Sequence, residues 1–173
     1  MACTQTLSGI LGDCLTNVGG IRIIYVCNYD DVTDVTFDDA TGEVKTITMA
    51  ASKKFKAYNF KAGTSNLTST LNVDAANAVN FVQSDLSLVF GRQDAAKRTE
   101  LKALSLADLR VIVKDSNNNF YLLGSEEPVT ASAGGAETGT ARTDGNKYTL
   151  TLTDYASSYP PFVPESVVSG VIE

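Results

Sequence analysis

The run from Asn77 to Ser125, NAVNFVQSDLSLVFGRQDAAKRTELKALSLADLRVIVKDSNNNFYLLGS, sets one amphipathic helix between a long apolar strand and a β-hairpin. Strand and turn patterns flank it on both sides. A lone helix among many strands has to cover a sheet face or a sheet edge. The fold class is therefore mainly β, with one flanking α-helix over about residues 95–104.

Asp94 stands where a helix N-cap belongs. From there Ala96, Leu101 and Leu104 read as the inward face, and Lys97, Arg98, Glu100 and Lys102 as the outward one. Before the helix, Val79 to Phe90 reads as a long strand. Leu86, Leu88 and Phe90 share one phase and Val79 and Phe81 the other, which predicts a bulge near Gln83–Asp85. After it, Leu109–Lys114 and Phe120–Leu123 flank Ser116-Asn117-Asn118-Asn119, a hairpin turn.

Toward the N-terminus, Ile21–Cys27 is apolar almost throughout, as a strand buried on both faces would be. Val35–Phe37 and Glu43–Met49 alternate around the turn Asp39-Ala40-Thr41-Gly42 and predict a hairpin. Lys53–Phe60 and Ser65–Val73 are further strands. Toward the C-terminus, Thr130–Thr143 is rich in Ala, Gly and Thr, and reads as a flexible loop or a thin edge strand. Lys147–Tyr155 alternates Tyr148, Leu150 and Leu152 against threonines, so one face is buried and one is wet. Prolines 160, 161 and 164 bar a central strand. They predict an extended tail over the body, with Val167–Ile172 as a last edge strand. Residues 1–173 form a single domain with an irregular N-terminal segment (1–20) and a Pro-containing tail (156–173).

A chain of 173 residues suffices for a sizeable core. Apolar residues make up 43% and charged residues 20%, the balance of a globular protein. The net charge of −6 and pI near 4.6 oppose tight, sequence-blind binding to nucleic acid. The one dense basic cluster, Lys53, Lys54, Lys56 and Lys61, suits an exposed edge strand. The start, MACTQTLSGILGDC, has no basic flank ahead of an apolar run, so no signal peptide is expected. No membrane span is expected either. Cys3, Cys14 and Cys27 read as reduced thiols.

The chain contains no histidine. Its absence removes the commonest general base, the Ser-His and Cys-His nucleophile systems and most zinc sites. The acidic group Asp30, Asp31, Asp34, Asp38, Asp39 and Glu43 matches no calcium-loop spacing and reads as a solvated loop. Asp85 and Asp94 are the nearest approach to a carboxylate pair for glycoside chemistry. Gly134-Gly135 lacks the Lys-Ser/Thr that a phosphate loop needs. We expect neither catalysis nor a metal nor a cofactor. Lys97 and Arg98 are instead candidates for an intersubunit ion pair with the acidic loop.

Three phrases carry a resemblance: GGIRIIYVCNYDDV (19–32), DLSLVF with KRTELKALSLADLRVIVKD (within 85–115), and YLLG with ETGTARTDGNKYTLTLT (within 121–153). In this order they resemble the structural proteins of tailed bacteriophages that build tail tubes and head–tail rings, notably those of Bacteroidales-infecting, crAss-like phages. The resemblance implies a β-sandwich or half-barrel subunit with a flanking helix, in a virion protein made in the host bacterial cytoplasm. Six or more copies would join side by side into a ring, their sheets forming an inner barrel. Double-stranded DNA would pass through the channel without specific binding. Other tail or connector proteins would be further partners, with loops such as 30–42 and 130–143 bridging to them. Asp30, Asp31, Asp34, Asp38, Asp39, Arg92, Lys97, Arg98, Glu137 and Arg142 are the candidate interface residues. The alternative is a non-catalytic β-sandwich binding module, either a capsid decoration or a carbohydrate-binding domain.

Overall fold

A computed structural model describes residues 9–10 and 17–173. Ten strands and two helices follow in the order β1 (Ile21–Asn28), β2 (Val32–Phe37), β3 (Val44–Met49), β4 (Lys56–Asn59), β5 (Asn66–Asp74), β6 (Val79–Gly91), α1 (Ala95–Leu106), β7 (Leu109–Asp115), β8 (Phe120–Leu123), β9 (Thr130–Glu137), β10 (Lys147–Ala156) and α2 (Glu165–Val171). The strands form two antiparallel four-stranded sheets, β4-β1-β7-β8 and β5-β6-β10-β9, and the separate hairpin β2-β3.

Two cores explain why β1 is apolar in both phases. Ile24 and Val26 join Val111 and Val113 against Leu86, Leu88, Leu150 and Leu152 of the second sheet. On the opposite side Cys27, Ile112, Phe120 and Leu122 meet Val32, Val44 and Ile47 of the hairpin, with Val168 and Val171 of α2. The β4-β1-β7-β8 sheet is thus a middle layer. The β5-β6-β10-β9 sheet covers one of its faces, and the hairpin with α2 covers the other.

The tail departs from expectation. Val167–Val171 is not an edge strand but belongs to helix α2, and Ile172 just past it makes a single parallel bridge to Phe55. Three β-branched residues in ESVVSGV favour strand locally. The helical period wins because it puts Val168 and Val171 together in the second core. The residues ahead of α2 do lie extended over the body. Leu122 N donates to Pro161 O at 3.0 Å, and Val163 N to Phe120 O at 2.9 Å, so the tail closes the β8 margin.

The predicted bulge in β6 is absent. Its register runs without a slip from Val79 to Asn66's partner Ser87 along β5, and from Val82 to Gly91 along β10. Val82, Ser84, Leu86 and Leu88 are the buried positions. The change of phase came from Ser84, a polar residue on the inward face whose hydroxyl meets Ser69 Oγ at 2.7 Å. Val79 and Phe81 lie on the outer face, where the Phe81 ring sits 6.0 Å from that of Tyr155.

Helix α1 starts as expected. Asp94 accepts from Lys97 N at 2.8 Å, and the helix extends to Leu106. Leu104 is buried and Leu101 half-buried, but Ala96 is exposed rather than inward. Of the expected hairpins, β2-β3 and β7-β8 are both present. The segment 130–143 divides: β9 is an edge strand as far as Glu137, and a loop follows.

Candidate functional site

The margins of the two large sheets differ. In the middle layer, the tail closes the β8 side. At the β4 side the strand is four residues long, and Phe55 beside it is tied to Val171 O and Glu173 N. In the β5-β6-β10-β9 sheet, nine-residue β5 and eight-residue β9 each pair on one side only among the described residues. Long unpaired strands of this kind are templates for pairing with another chain. Gly134 and Gly135 belong to this margin. A Cβ on Gly135 would stand 3.1 Å from Thr149 Oγ1, so the glycines let β9 lie close on β10.

The two faces of this sheet differ in chemistry. Opposed residues share a face, so the rungs Asn66–Ser87–Thr151 and Thr68–Asp85–Thr153 put amides, hydroxyls and one carboxylate on the outside. Asp85 accepts from Thr153 Oγ1 at 2.7 Å and from Gln83 Nε2 at 3.0 Å. At the start of β10, Lys147 is paired to Glu137 at 3.2 Å. The next rungs, such as Leu67–Leu86–Leu152, face the core.

The candidate interface residues fall in two regions. Asp30 and Asp31 sit in a 3-10 turn after β1, and Asp31 pairs with Lys53 at 3.1 Å. Asp34 is on β2, with Asp38 and Asp39 at the hairpin turn. Asp38 accepts from Ala40 N and Thr41 N at 2.9 and 3.0 Å, and these bonds hold its carboxyl below the usual range. Arg92, Lys97 and Arg98 mark the start of α1, Glu137 ends β9, and Arg142 is in the loop beyond. Lys97 is half-buried and engaged locally. Its Nζ reaches Gly91 O at 2.9 Å, Arg92 O at 3.0 Å and Asp94 at 3.1 Å. Reversing its charge would therefore disturb the helix start before any interface. Arg98 and Lys102 are exposed and belong to none of the ion pairs among the described residues.

Asp85 and Asp94 do not converge. Asp85 lies six residues before the end of β6, about 20 Å along an extended strand, and Asp94 is spent on the α1 cap. Among the described residues, no group of three His, Cys, Asp or Glu side chains is arranged to hold a metal. Burial pushes the Cys27 thiol up to about 12, aided by the nearby Asp31 carboxylate, so the sulfur stays protonated and inert. Cys3 and Cys14 lie outside the described residues.

One buried charge escapes a reading by composition. Asp154 is 2% exposed on the inward face of β10. It accepts from Gly124 N at 3.1 Å, while Gly124 O accepts from Arg110 Nε at 2.9 Å. Desolvation pushes the Asp154 carboxyl up to about 6; the Gly124 bond opposes this, and Glu126 and Glu127 add to it. Gly124 has φ +82, and a Cβ there would meet Leu109 O at 3.1 Å, so this junction requires glycine. The alternation in NKYTLTLTDY already puts Asp154 in phase with Leu150 and Leu152.

No protein-family model matches the chain, and no curated protein matches it significantly. No helix among the described residues is long and apolar enough to cross a membrane.

Proposed function

We propose that this chain is a structural virion protein whose copies close into a ring, as part of a phage tail or head–tail connector. The observation that carries the reading is the β5-β6-β10-β9 sheet, open at both margins while the tail closes a margin of its neighbour. Its two free edges are different surfaces. Joining β5 of one copy to β9 of the next is a heterologous contact, which closes into a ring when the rotation permits. The joined sheets then form the inner wall of a channel.

The outer face of that sheet supports the same reading. Beside Val79 and the rings of Phe81 and Tyr155 it offers hydroxyls and amides with a slight acidic excess, and its Lys147 is neutralised by Glu137. A polyanion finds few cations to grip there and slides. Double-stranded DNA is thus a passenger rather than a ligand. Neighbouring tail or connector proteins would meet the acidic β2-β3 turn and the 138–146 loop.

Sedimentation velocity over a range of concentrations tests this. Growth of one discrete oligomer is expected; a single 18.4 kDa species throughout would contradict it. The alternative, a non-catalytic binding module, draws on the exposed rings of Tyr159 and Phe162. It leaves the two open margins without a purpose, and binding to a glycan array would favour it.

A further inference from the structure

The two sides of the β5-β6-β10-β9 sheet are shaped differently on its core-facing surface. Beyond β9 stands helix α1, on the same side as the core: Leu101 and Leu104 pack there, and Gln93 Nε2 donates to Glu137 O at 2.9 Å. Beyond β5 no helix stands among the described residues. Instead a cleft of about 460 Å³ opens between β5 and the tail, lined by Leu67 and Ser69 on one side and Tyr159 and Phe162 on the other. The same face of β5 continues with Leu71 and Val73, which are 46% and 65% exposed.

We propose that helix α1 of each copy seats on the cleft-facing side of the next copy's β5, an inference that rests on the ring reading above. Edge pairing of β9 onto β5 with like faces aligned carries the first copy's α1 over the second copy's Leu67, Ser69, Leu71 and Val73. Apolar surface left bare on one copy is then covered by a helix that in isolation buries little of itself. Leu104 is its one buried residue, and Leu106 is 78% exposed.

The charges agree. Among the described residues, Asp115 is the one charged residue lining the cleft, and Arg98 and Lys102 on α1 are cations without an ion pair. With Leu106 they fall at i, i+4 and i+8, along one stripe of the helix. The exposed Tyr159 and Phe162 rings offer faces on which a guanidinium or ammonium can rest. The second copy is therefore the occupant: it supplies a helix of the right sign, on the right side of the sheet, at the margin where β5 lacks a neighbour.

The test uses the full chain carrying Lys102→p-benzoylphenylalanine, mixed from ¹⁴N- and ¹⁵N-labelled protein and irradiated after assembly. Cross-linked peptides joining position 102 of one copy to residues 67–81 or 159–162 of another are expected. Rings that form but cross-link elsewhere, or only within one copy, overturn the seating and leave the ring. Failure to assemble at any concentration overturns both. Val73→Asp is a second variant, harmless to the isolated fold because Val73 is exposed. It should raise the concentration for half-assembly by at least about tenfold, and an unchanged value refutes the seating.

Discussion

Replacing Asp154 with asparagine should make the protein more stable at neutral pH and flatten its pH dependence. The carboxyl titrates near 6 in the folded chain, against 3.8 for an unperturbed group. A folded-state pKa raised in this way means that the native state holds the proton more tightly. The stability it contributes is fully present below about pH 4 and is lost as pH rises through about 6. A shift from 3.8 to about 6 corresponds to at most about 3 kcal/mol between those limits. Asparagine keeps an acceptor for Gly124 N and has no charge to desolvate. Urea unfolding of both proteins at pH 5, 6, 7 and 8 measures the effect. The wild type should lose stability across this range and the variant should not, with a gap of about 1–3 kcal/mol at pH 8. Parallel profiles, or a variant less stable at pH 8, would refute the account of Asp154.

Three other outcomes follow from the same contacts. Ending the chain at Ser158 removes buried Val163, Val168 and Val171 and uncovers the β8 margin; at about 1.5–3 kcal/mol per side chain, the truncated protein should lose cooperative thermal unfolding. Gly124→Ala should cost about 1–3 kcal/mol in urea, because the position needs a positive φ and has no room for a Cβ. Asp94→Ala should lower the thermal midpoint by removing the α1 cap, measured by thermal unfolding of both proteins.

Local chemistry was enough to read the hairpins, the cap of α1 and the double burial of β1. Turn residues, one capping carboxylate and an unbroken apolar run are signals that tertiary structure does not overrule. Helix α2 was illegible because its β-branched residues favour strand, and only the second core rewards the helical spacing of Val168 and Val171. Ser84 misled in the opposite way. A polar residue on an inward position imitates a change of phase, although its hydroxyl is satisfied across the rung by Ser69. The candidate site was partly legible. Composition left 130–143 as a loop or an edge strand, and the chain uses it as both. That β5 has no outer partner among the described residues, and that Leu71 and Val73 extend past the cleft, depends on which strands meet. Periodicity cannot state that.

Electron cryomicroscopy of the assembled protein tests the central claim most directly. The account predicts a closed ring in which β5 of every copy is hydrogen-bonded to β9 of the next, around a channel faced by Thr68 and Asp85. A monomer, or a ring whose contacts leave both strands bare, would contradict it.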